Sequence, residues 1–288
     1  MKKGKIIRLI GGIYTVVDEN ANKVDIRPIG LFRYQNISPK VGDNVLFNED
    51  SIYEVLPRRN DLVRPTIANV DLAIIINSCK KPDFSFYLLD QFLALVGSAE
   101  IDPIIVLTKI DLMSDTELNI LKSKLHYYEQ WYPVCYIDSK HHQGIESLLS
   151  LMSGKVCVLS GQTGAGKSSL MNAIDPNLNL KTDEISKALG RGKHTTRHVE
   201  LIKVKDGWIA DTPGFSKLEF PEMTIQSLKD LYPDFIKLRN DCRFNGCLHV
   251  NEPDCAVKKA YLDGVMLKER YENYLLFHEA IKAQKRRY

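Results

Sequence analysis

The sequence has no long apolar run, no strong excess of one charge and no low-complexity linker. No stretch approaches the roughly 20 apolar residues of a membrane-spanning helix. Arg8 interrupts the short apolar patch at 6–10, so we expect no secretory signal and no membrane partner. The 39 lysines and arginines nearly balance the 36 acidic residues, for a net charge of +3, which argues against a polycationic nucleic-acid coat. These absences predict a cytoplasmic, globular protein.

Cysteine is also scarce, with six in 288 residues. A disulfide framework suits neither this chain length nor the lack of a signal. Cys79, Cys135 and Cys157 lie in or beside apolar strand-like runs. We expect these three thiols to be buried and to behave as small hydrophobic side chains.

The pattern of apolar residues divides the chain into three regions. Residues 1–66 contain five short β-branched or alternating runs separated by turn residues, which predicts a small barrel of the OB type, with an SH3-like barrel as the alternative. Residues 67–219 alternate strand-like and helix-like runs, which indicates an α/β domain with a mostly parallel sheet covered on both faces. Residues 220–288 are mainly helical and contain a group of cysteines and a histidine, so we expect a zinc-binding domain there.

Within the middle region, strands are predicted at 70–77, 103–107, 134–137, 155–160, 198–204 and 208–210, and helices at 86–98, 115–131, 145–152 and 167–174. In the last region, helices are predicted at 224–232 and along a stretch near 254–284.

Residues 161–168 read GQTGAGKS, a complete phosphate-binding P-loop between an apolar strand and a helix. In such a loop, glycines let consecutive backbone N–H groups converge on the phosphates, and the helix N-terminus adds partial positive charge. Lys167 is expected to reach the β- and γ-phosphates as a catalytic group, and Ser168 to ligate Mg²⁺. The predicted phosphate-binding residues are Gly161, Gln162, Thr163, Gly164, Ala165, Gly166, Lys167, Ser168 and Ser169.

A guanine-recognition motif, TKID, follows the strand-like run that ends at residue 107. The Asp111 carboxylate can accept hydrogen bonds from the ring N1–H and the exocyclic amine of guanine, a donor pair that adenine lacks. Thr108 belongs to the same motif, and Lys109 would pack its aliphatic stem along the base. Ser139 and Lys140 follow the next strand, and their backbone N–H groups are candidates for contact with guanine O6.

Two further motifs belong to the γ-phosphate and magnesium side of such a site. The sequence DTPG follows another apolar run, and there Asp211 suits a water-bridged contact to Mg²⁺ while the Gly214 N–H suits the γ-phosphate. Between the P-loop and DTPG lies GKHTTR, where the hydroxyl of Thr195 or Thr196 can close on Mg²⁺, and Thr196 is the predicted ligand. Taken alone, the threonine pair would suit the start of a strand equally well.

The order of these motifs is rotated. Ordinary GTPases run from the P-loop through the switch threonine and DxxG to the guanine motif, whereas here TKID precedes the P-loop and DTPG comes last. This order predicts a circular permutation, with the sheet cut after the DxxG strand and the former ends joined near residues 153–154. Such cuts are tolerated because the termini of compact domains often lie close together.

The combination resembles one family along nearly the whole chain: the circularly permuted, small-ribosomal-subunit-dependent GTPases, known as RsgA, YjeQ or YloQ. The resemblance rests on the displaced TKID, GQTGAGKSSL, GRGKHTTR, DTPGF, the cysteine–histidine spacing and an N-terminal β-region ending in Arg64 and Pro65. It implies a cytoplasmic GTPase that binds the small ribosomal subunit and its rRNA. That particle would stimulate hydrolysis, which is coupled to late maturation and to release. One departure is Lys140, where the family usually has a small residue.

The cysteine–histidine group has the spacing of a structural zinc site. Its three thiolates and one imidazole form a closed tetrahedral set, and metal binding would help to fold a small domain with a limited core. The predicted ligands are Cys242, Cys247, His249 and Cys255. Nearby basic residues suit either RNA phosphates or a solvated helix face: Arg239, Arg243, Lys282, Lys285, Arg286 and Arg287.

The residue after DTPG is Phe215, where many GTPases place a glutamine that orients the attacking water. A phenyl ring cannot do this, so intrinsic turnover should be slow. His194 is the internal candidate for that role, with a loop or RNA contact as the alternative. Because residues 215–221 lead directly into the last region, we also expect nucleotide state to set the orientation of residues 222–288.

The leading hypothesis is therefore an enzyme used as a switch, with GTP/GDP and Mg²⁺ at one site, one structural Zn²⁺ elsewhere, and a monomeric chain. A nucleotide-gated RNA-binding scaffold with incidental hydrolysis is the main alternative. A metabolic kinase is a third class, against which the guanine motif argues.

Overall fold

The computed structural model describes residues 1–63, 65–178, 199–213 and 223–284, with the backbone alone at 211–213. Arg64, the switch segment with His194, Thr195 and Thr196, the stretch that begins at Gly214 and the last four residues lie outside the described residues. Within the described ranges, no helix combines the length and apolar character that crossing a bilayer requires.

The N-terminal residues form a closed five-stranded barrel. Its strands are β1 (Lys2–Ile10), β2 (Ile13–Asp18), β3 (Lys23–Pro28), β4 (Asn44–Phe47) and β5 (Ser51–Val55), and a short helix α1 (Leu31–Tyr34) links β3 to β4. The strand order is β1-β2-β3-β5-β4, with β4 pairing back to β1 and β3 running parallel to β5. Of the two predicted barrels, this five-stranded closure with a long crossover favours the OB type.

An ion pair between a partly exposed arginine and a buried aspartate fastens the barrel to the segment after β5. Arg58 donates from Nε and Nη2 to the two carboxylate oxygens of Asp43 at 2.7 and 2.8 Å, and Asp43 is fully buried. Asn69 donates to the Gly42 carbonyl at 3.1 Å. Between these contacts lies a small hairpin, β6 (Asp61–Leu62) and β7 (Ile67–Ala68). The segment after β5 is therefore held against the barrel by these polar contacts, and Asn69 continues them into the next domain.

The middle region is a six-stranded sheet with helices on both faces. Along the chain it comprises β8 (Leu72–Ser78), α2 (Phe86–Ser98), β9 (Asp102–Thr108), α3 (Asp115–Glu129), β10 (Val134–Ile137), α4 (Ile145–Met152), β11 (Val156–Ser160), α5 (Lys167–Ile174), β12 (Leu201–Val204) and β13 (Gly207–Pro213). The spatial order is β10-β9-β8-β11-β13-β12, and only β12 pairs antiparallel among them. The predicted α/β class is confirmed.

The strand order shows the permutation directly. The central neighbours β8 and β11 run parallel, although the chain visits β9 and β10 between them. Counted from β11 onward, the six strands follow the winding of a doubly wound sheet, so the loops after β11 and β9 meet at one edge. Cys79, Cys135 and Cys157 are buried in or beside these strands, as predicted.

The C-terminal region, residues 223–284, is helical. It contains α6 (Ile225–Lys229), α7 (Pro233–Leu238), α8 (Ala256–Leu262) and α9 (Lys268–Gln284). The single helix predicted at 224–232 is shorter because Pro233 begins a new helix and restricts the residue before it. The stretch near 254–284 is two helices, because Gly264 adopts a φ of +71° just after α8 and ends it.

Candidate functional site

The P-loop joins β11 to α5 and wraps around its own lysine. The Lys167 ammonium donates to the carbonyls of Gly161 and Gln162 at 2.7 and 2.8 Å. These partners are neutral, and burial lowers the pKa of Lys167 to about 8. A cation whose partners among the described residues are carbonyls is suited to bind an anion, since phosphate oxygens would balance its charge.

Gly161 is required by both conformation and space. Its φ is +136°, and a Cβ placed there would lie 2.2 Å from the Ile76 carbonyl oxygen of neighbouring β8. No side chain fits without displacing a central strand. The backbone N–H groups of the loop can therefore keep the close spacing that phosphate binding needs.

The TKID motif contacts the P-loop from the end of β9. The Thr108 hydroxyl donates to the Ala165 carbonyl at 2.5 Å, and the Lys109 ammonium donates to the Gly164 carbonyl at 2.7 Å. Lys109 also donates to the carbonyl of Lys81, in the loop after β8. Burial lowers the pKa of Lys109, with Asp111 opposing that shift. Residues more than 50 positions apart thus form one edge of a single pocket.

Asp111 lies two residues beyond Lys109, in a 3₁₀ turn that spans Ile110–Leu112, and its side chain is exposed. The turn leads into α3 through a capping box in which Ser114 and Glu117 satisfy each other's backbone N–H groups. Glu117 also accepts both bonds from Lys80 at 2.8 and 2.9 Å. The Lys80 bond, followed by those from Ser114, lowers the pKa of Glu117 to about 2. The loop bearing Asp111 is therefore tied to the loop after β8.

The turn after β10 is organised by Asp138. Its carboxylate accepts from the backbone N–H groups of Lys140 and His141 at 2.9 and 3.1 Å. The Lys140 N–H, predicted to contact guanine O6, is thus already engaged within the protein. Of the two predicted donors in this turn, the Ser139 N–H is the better candidate.

The magnesium side is described only in part. Ser168 is the second residue of α5 and is buried. Asp211 lies inside β13 and not after a strand, because pairing with β11 continues to Pro213. That pairing places the Asp211 backbone beside the strand that carries the P-loop. Thr196 and Gly214 lie outside the described residues, as do His194 and Phe215.

The four residues Cys242, Cys247, His249 and Cys255, here called the metal cluster, converge in the C-terminal region. Their potential ligand atoms all lie within 4.8 Å of one another. His249 Nδ1 lies 3.6 and 3.4 Å from the sulfurs of Cys242 and Cys255, which are 4.0 Å apart. Tetrahedral zinc with metal–sulfur bonds of about 2.3 Å places its ligands roughly 3.8 Å apart. The spacing and the donor types both fit a structural zinc ion.

Burial shapes the chemistry of the metal cluster. It raises the pKa of Cys247 to about 12 and lowers the pKa of His249 to about 4. A neutral imidazole is the form that ligates a metal, whereas thiols in this environment need a cation in order to ionise. The protein without a cation would hold these groups uncharged.

Surrounding groups fix the loop of the metal cluster. The Glu252 carboxylate accepts from the backbone N–H groups of Leu248, Val250 and Asn251 at 2.7, 3.0 and 3.1 Å. Sequence reasoning missed this residue, since an acid in a loop carries no distinguishing pattern. It also missed the Ser114–Glu117 capping box, although the S-x-x-E spacing is readable.

A P-loop sheet whose guanine motif comes from an upstream strand defines a circularly permuted GTPase. Comparisons with known proteins agree: the RsgA GTPase family pattern matches residues 55–221, and the RsgA N-terminal domain pattern matches residues 3–54. The chain belongs to the RsgA GTPase family and is a GTP hydrolase.

Curated relatives match along their whole length. The chain is 48% identical to "Small ribosomal subunit biogenesis GTPase RsgA 2" of Oceanobacillus iheyensis, with all of both chains covered. It is 44% identical to the RsgA protein of Bacillus subtilis, again with all of both covered. Among solved structures it resembles YjeQ from Thermotoga maritima, with TM-score 0.87, 33% identity and coverage of 97% and 98%. YloQ, titled a circularly permuted GTPase, gives TM-score 0.86 and 38% identity over 99% and 96% of the two chains.

Proposed function

We propose that this chain is a GTPase of small ribosomal subunit biogenesis, which binds that particle and couples GTP hydrolysis to late maturation and to its own release. Relatives at 48% and 44% identity are small ribosomal subunit biogenesis GTPases by name, which supports the assignment. The observation that carries the nucleotide part is the bonding of Thr108 and Lys109 to P-loop carbonyls. The guanine motif and the phosphate loop thus share one pocket.

In this proposal Asp111 accepts from the guanine N1–H and N2 amine, with the Ser139 N–H at O6. The P-loop residues 161–169 donate backbone hydrogen bonds to the phosphates, and the Lys167 ammonium leaves its two carbonyls for the β- and γ-phosphate oxygens. Ser168, Thr196 and Asp211 would hold Mg²⁺, which neutralises charge developing on the phosphates. Gly214 would donate to the γ-phosphate.

The water-orienting group is assigned to His194, because Phe215 has no polar atom for that purpose. Histidine can accept a proton or a hydrogen bond from the attacking water while the γ-phosphoryl group departs. Replacement of His194 by alanine should remove particle-stimulated hydrolysis and leave GDP affinity unchanged. Full stimulated turnover in that variant would assign the role to the particle.

The remaining assignments complete the proposal. The chain acts as a cytoplasmic monomer without membrane contact, its metal cluster holds Zn²⁺, and it meets rRNA on the small subunit. The three domains are assigned to residues 1–66, 67–219 and 220–288. The family patterns change over earlier than the first of these boundaries, at residues 54 and 55.

Turnover of GTP and ATP, with and without purified small subunits, tests the function. We expect slow GTP hydrolysis alone, strong stimulation by the particle, and no ATP turnover. Lys167→Ala should abolish both rates, and Lys155→Ala, on an exposed residue before β11, is the matched control. ATP preference would support a kinase instead. Particle release that persists when hydrolysis is blocked would support the nucleotide-gated scaffold.

A further inference from the structure

A fully buried arginine lies where the C-terminal region packs against the GTPase sheet domain. Arg270, on α9, is 1% exposed and lies between Asp90 of α2 and Asp234 of α7, which are 0% and 2% exposed. Its Nη1 donates to Asp90 at 2.5 Å, and its Nε and Nη2 donate to Asp234 at 3.3 and 3.4 Å. One carboxylate belongs to the sheet domain and the other to the C-terminal region.

The two carboxylates have further donors. Asp90 accepts from the hydroxyl of Tyr128 on α3 at 2.9 Å and from the amide of Asn273 on α9 at 2.7 Å. Asp234 accepts from the hydroxyl of Tyr127 on α3 at 2.9 Å. We call the set of Asp90, Tyr127, Tyr128, Asp234, Arg270 and Asn273 the Arg270 network. It joins four helices, two from each side of the interface.

Apolar contacts extend the same interface. Ala94 and Leu95 of α2 belong to the buried core of the C-terminal region. The rings of Tyr87 and Phe277 meet edge to face at 5.1 Å. Because the charged groups are enclosed by this packing, water cannot replace their partners without separating the two domains.

The helix that carries Arg270 also holds the metal cluster. Tyr271 donates from its hydroxyl to the His249 carbonyl at 2.7 Å, and Tyr274 donates to the Leu248 carbonyl at 2.5 Å. Arg270 and Asn273 thus bond to α2, while their chain neighbours on α9 bond to the metal loop. The position of the metal cluster relative to the sheet domain is therefore set through one turn of α9.

We propose that the C-terminal region is a fixed extension of the GTPase core, and that Arg270 is the positioning residue that holds it there in every nucleotide state. Moving the region away from α2 would remove Arg270 and Asn273 from the Asp90 carboxylate and expose the apolar contacts around them to water, which disfavours such a motion. This replaces the sequence-based expectation that nucleotide state reorients residues 222–288. The proposal rests on the proposed function. It implies that the small subunit contacts the metal cluster at a constant distance from the GTP site.

Distance measurements on the full-length, metal-loaded protein test the rigidity. Spin labels on non-natural amino acids at the exposed positions Asn119, on α3, and Lys259, on α8, would report the interdomain distance by pulsed electron resonance. We expect one narrow distribution that is the same with GDP and with a non-hydrolysable GTP analogue. If the mean distance in the parent protein differed between the GDP form and the GTP-analogue form, the proposal would be wrong.

Two variants separate the role of Arg270 from general folding. Arg270→Met leaves the buried carboxylates of Asp90 and Asp234 without their positive partner, and we expect it to destabilise the protein. The triple variant Asp90→Asn, Asp234→Asn, Arg270→Met removes the charges together, a change that buried ionic groups often tolerate. We expect it to fold and keep its metal, but with a broadened distance distribution. A distribution as narrow as that of the parent protein would show that packing alone fixes the region.

Activity supplies a second readout. The triple variant should keep its GDP affinity and intrinsic turnover while losing particle stimulation by about tenfold. Undiminished stimulation with a broadened distribution would overturn the positioning role. If small subunits failed to stimulate even the parent protein, the proposed function would fail, and the distance data would still decide whether the region is fixed.

Discussion

Two buried cations, Lys167 and Arg270, show how differently this protein uses charge. Lys167 donates to two neutral carbonyls, and burial lowers its pKa to about 8. Burial alone would also lower the pKa of Arg270, but Asp234 and Asp90 outweigh it and hold that pKa well above its ordinary value. Within the described part of the chain, the lysine bonds to neutral groups and can take up an anion, whereas the arginine is paired with two carboxylates of the fold.

The surroundings of the two cations differ in the same sense. The site around Lys167 is built from backbone groups of a glycine-containing loop. Such a loop can rearrange around a ligand without disrupting hydrophobic packing. The interface around Arg270 is built from side chains of four helices, and its guanidinium and both facing carboxylates are hydrogen-bonded inside the protein. The loop around Lys167 can therefore gain free energy by binding a ligand, whereas the interface around Arg270 cannot. The metal cluster resembles the first site, because its thiols ionise beside a bound cation.

The largest effect should come from loss of the metal. Cys247→Ser, or exposure to a strong chelator, should unfold the loop 242–255 and release α9 from its two tyrosine bonds, because metal binding and folding are one equilibrium in such sites. We expect a loss exceeding about 5 kcal/mol in the stability of the C-terminal region. Metal content with limited proteolysis of residues 223–284 measures it.

Cys135→Ala is the matched control, since this buried cysteine lies outside the metal cluster. It should keep the metal and cost only the small packing loss of one sulfur. Equal protease sensitivity in the two variants would mean that the metal cluster does not stabilise the region.

Gly161→Ala should have the next largest effect, on the nucleotide pocket alone. The added Cβ lies 2.2 Å from the Ile76 carbonyl oxygen, so the loop must move away from β8 and its N–H groups lose their convergence. We expect GDP affinity to fall by at least about a thousandfold, or roughly 4 kcal/mol. Gly30→Ala, where nothing lies within 4 Å, is the control. Calorimetric GDP titration within tenfold of the parent would contradict the argument.

Asp111→Asn should weaken GDP binding by about a hundredfold, because a charged acceptor for two donors is lost. The same variant should gain affinity for xanthosine diphosphate, whose base offers an acceptor where guanine has its amine. Asp115→Asn, on an exposed acid in the first turn of α3, should change neither. Competition binding with the two nucleotides distinguishes base recognition from general damage, since damage would weaken both.

The pocket was largely predictable from the sequence, and the Arg270 network was not. P-loop and TKID residues are marked by short-range patterns whose chemistry dictates their spacing, and the strand ends bring them together through the parallel order. The strands predicted at 134–137 and 208–210 both fall within observed strands. Once the strand order was predicted correctly, the motifs that contain Asp111 and Lys167 were expected to lie at the same edge of the sheet.

Arg270 and Asp90 lie 180 positions apart, and neither stands in a motif. The buried face of α9 includes Arg270, Asn273 and His278, so the apolar period that normally marks a packed helix is broken by polar residues. Their burial depends on partners from other helices, which single-sequence patterns cannot reveal. The helix breaks at Pro233 and Gly264, by contrast, are predictable from residue type, since proline and glycine commonly begin and end helices.

The smallest effect, and the sharpest contrast between the two cations, should come from pH. As pH rises through about 8, free Lys167 loses its proton, whereas bound phosphates favour the ammonium. GDP binding should therefore take up roughly half a proton at pH 8, and its Kd should rise by up to about tenfold per pH unit above that. Titration calorimetry in two buffers of different ionisation enthalpy measures both quantities.

Folding stability should respond to pH in the opposite direction. An unfolded lysine keeps its proton up to its ordinary pKa of 10.5, so between about pH 8 and 10.5 the unfolded state binds more protons than the nucleotide-free folded state. The Lys167 contribution to folding stability should then rise with pH, while nucleotide affinity falls. Arg270 stays charged throughout, so the interdomain distance should not change across this window. Lys167→Arg should flatten the pH dependence, and a flat profile in the parent protein would show that the lysine is not the titrating group.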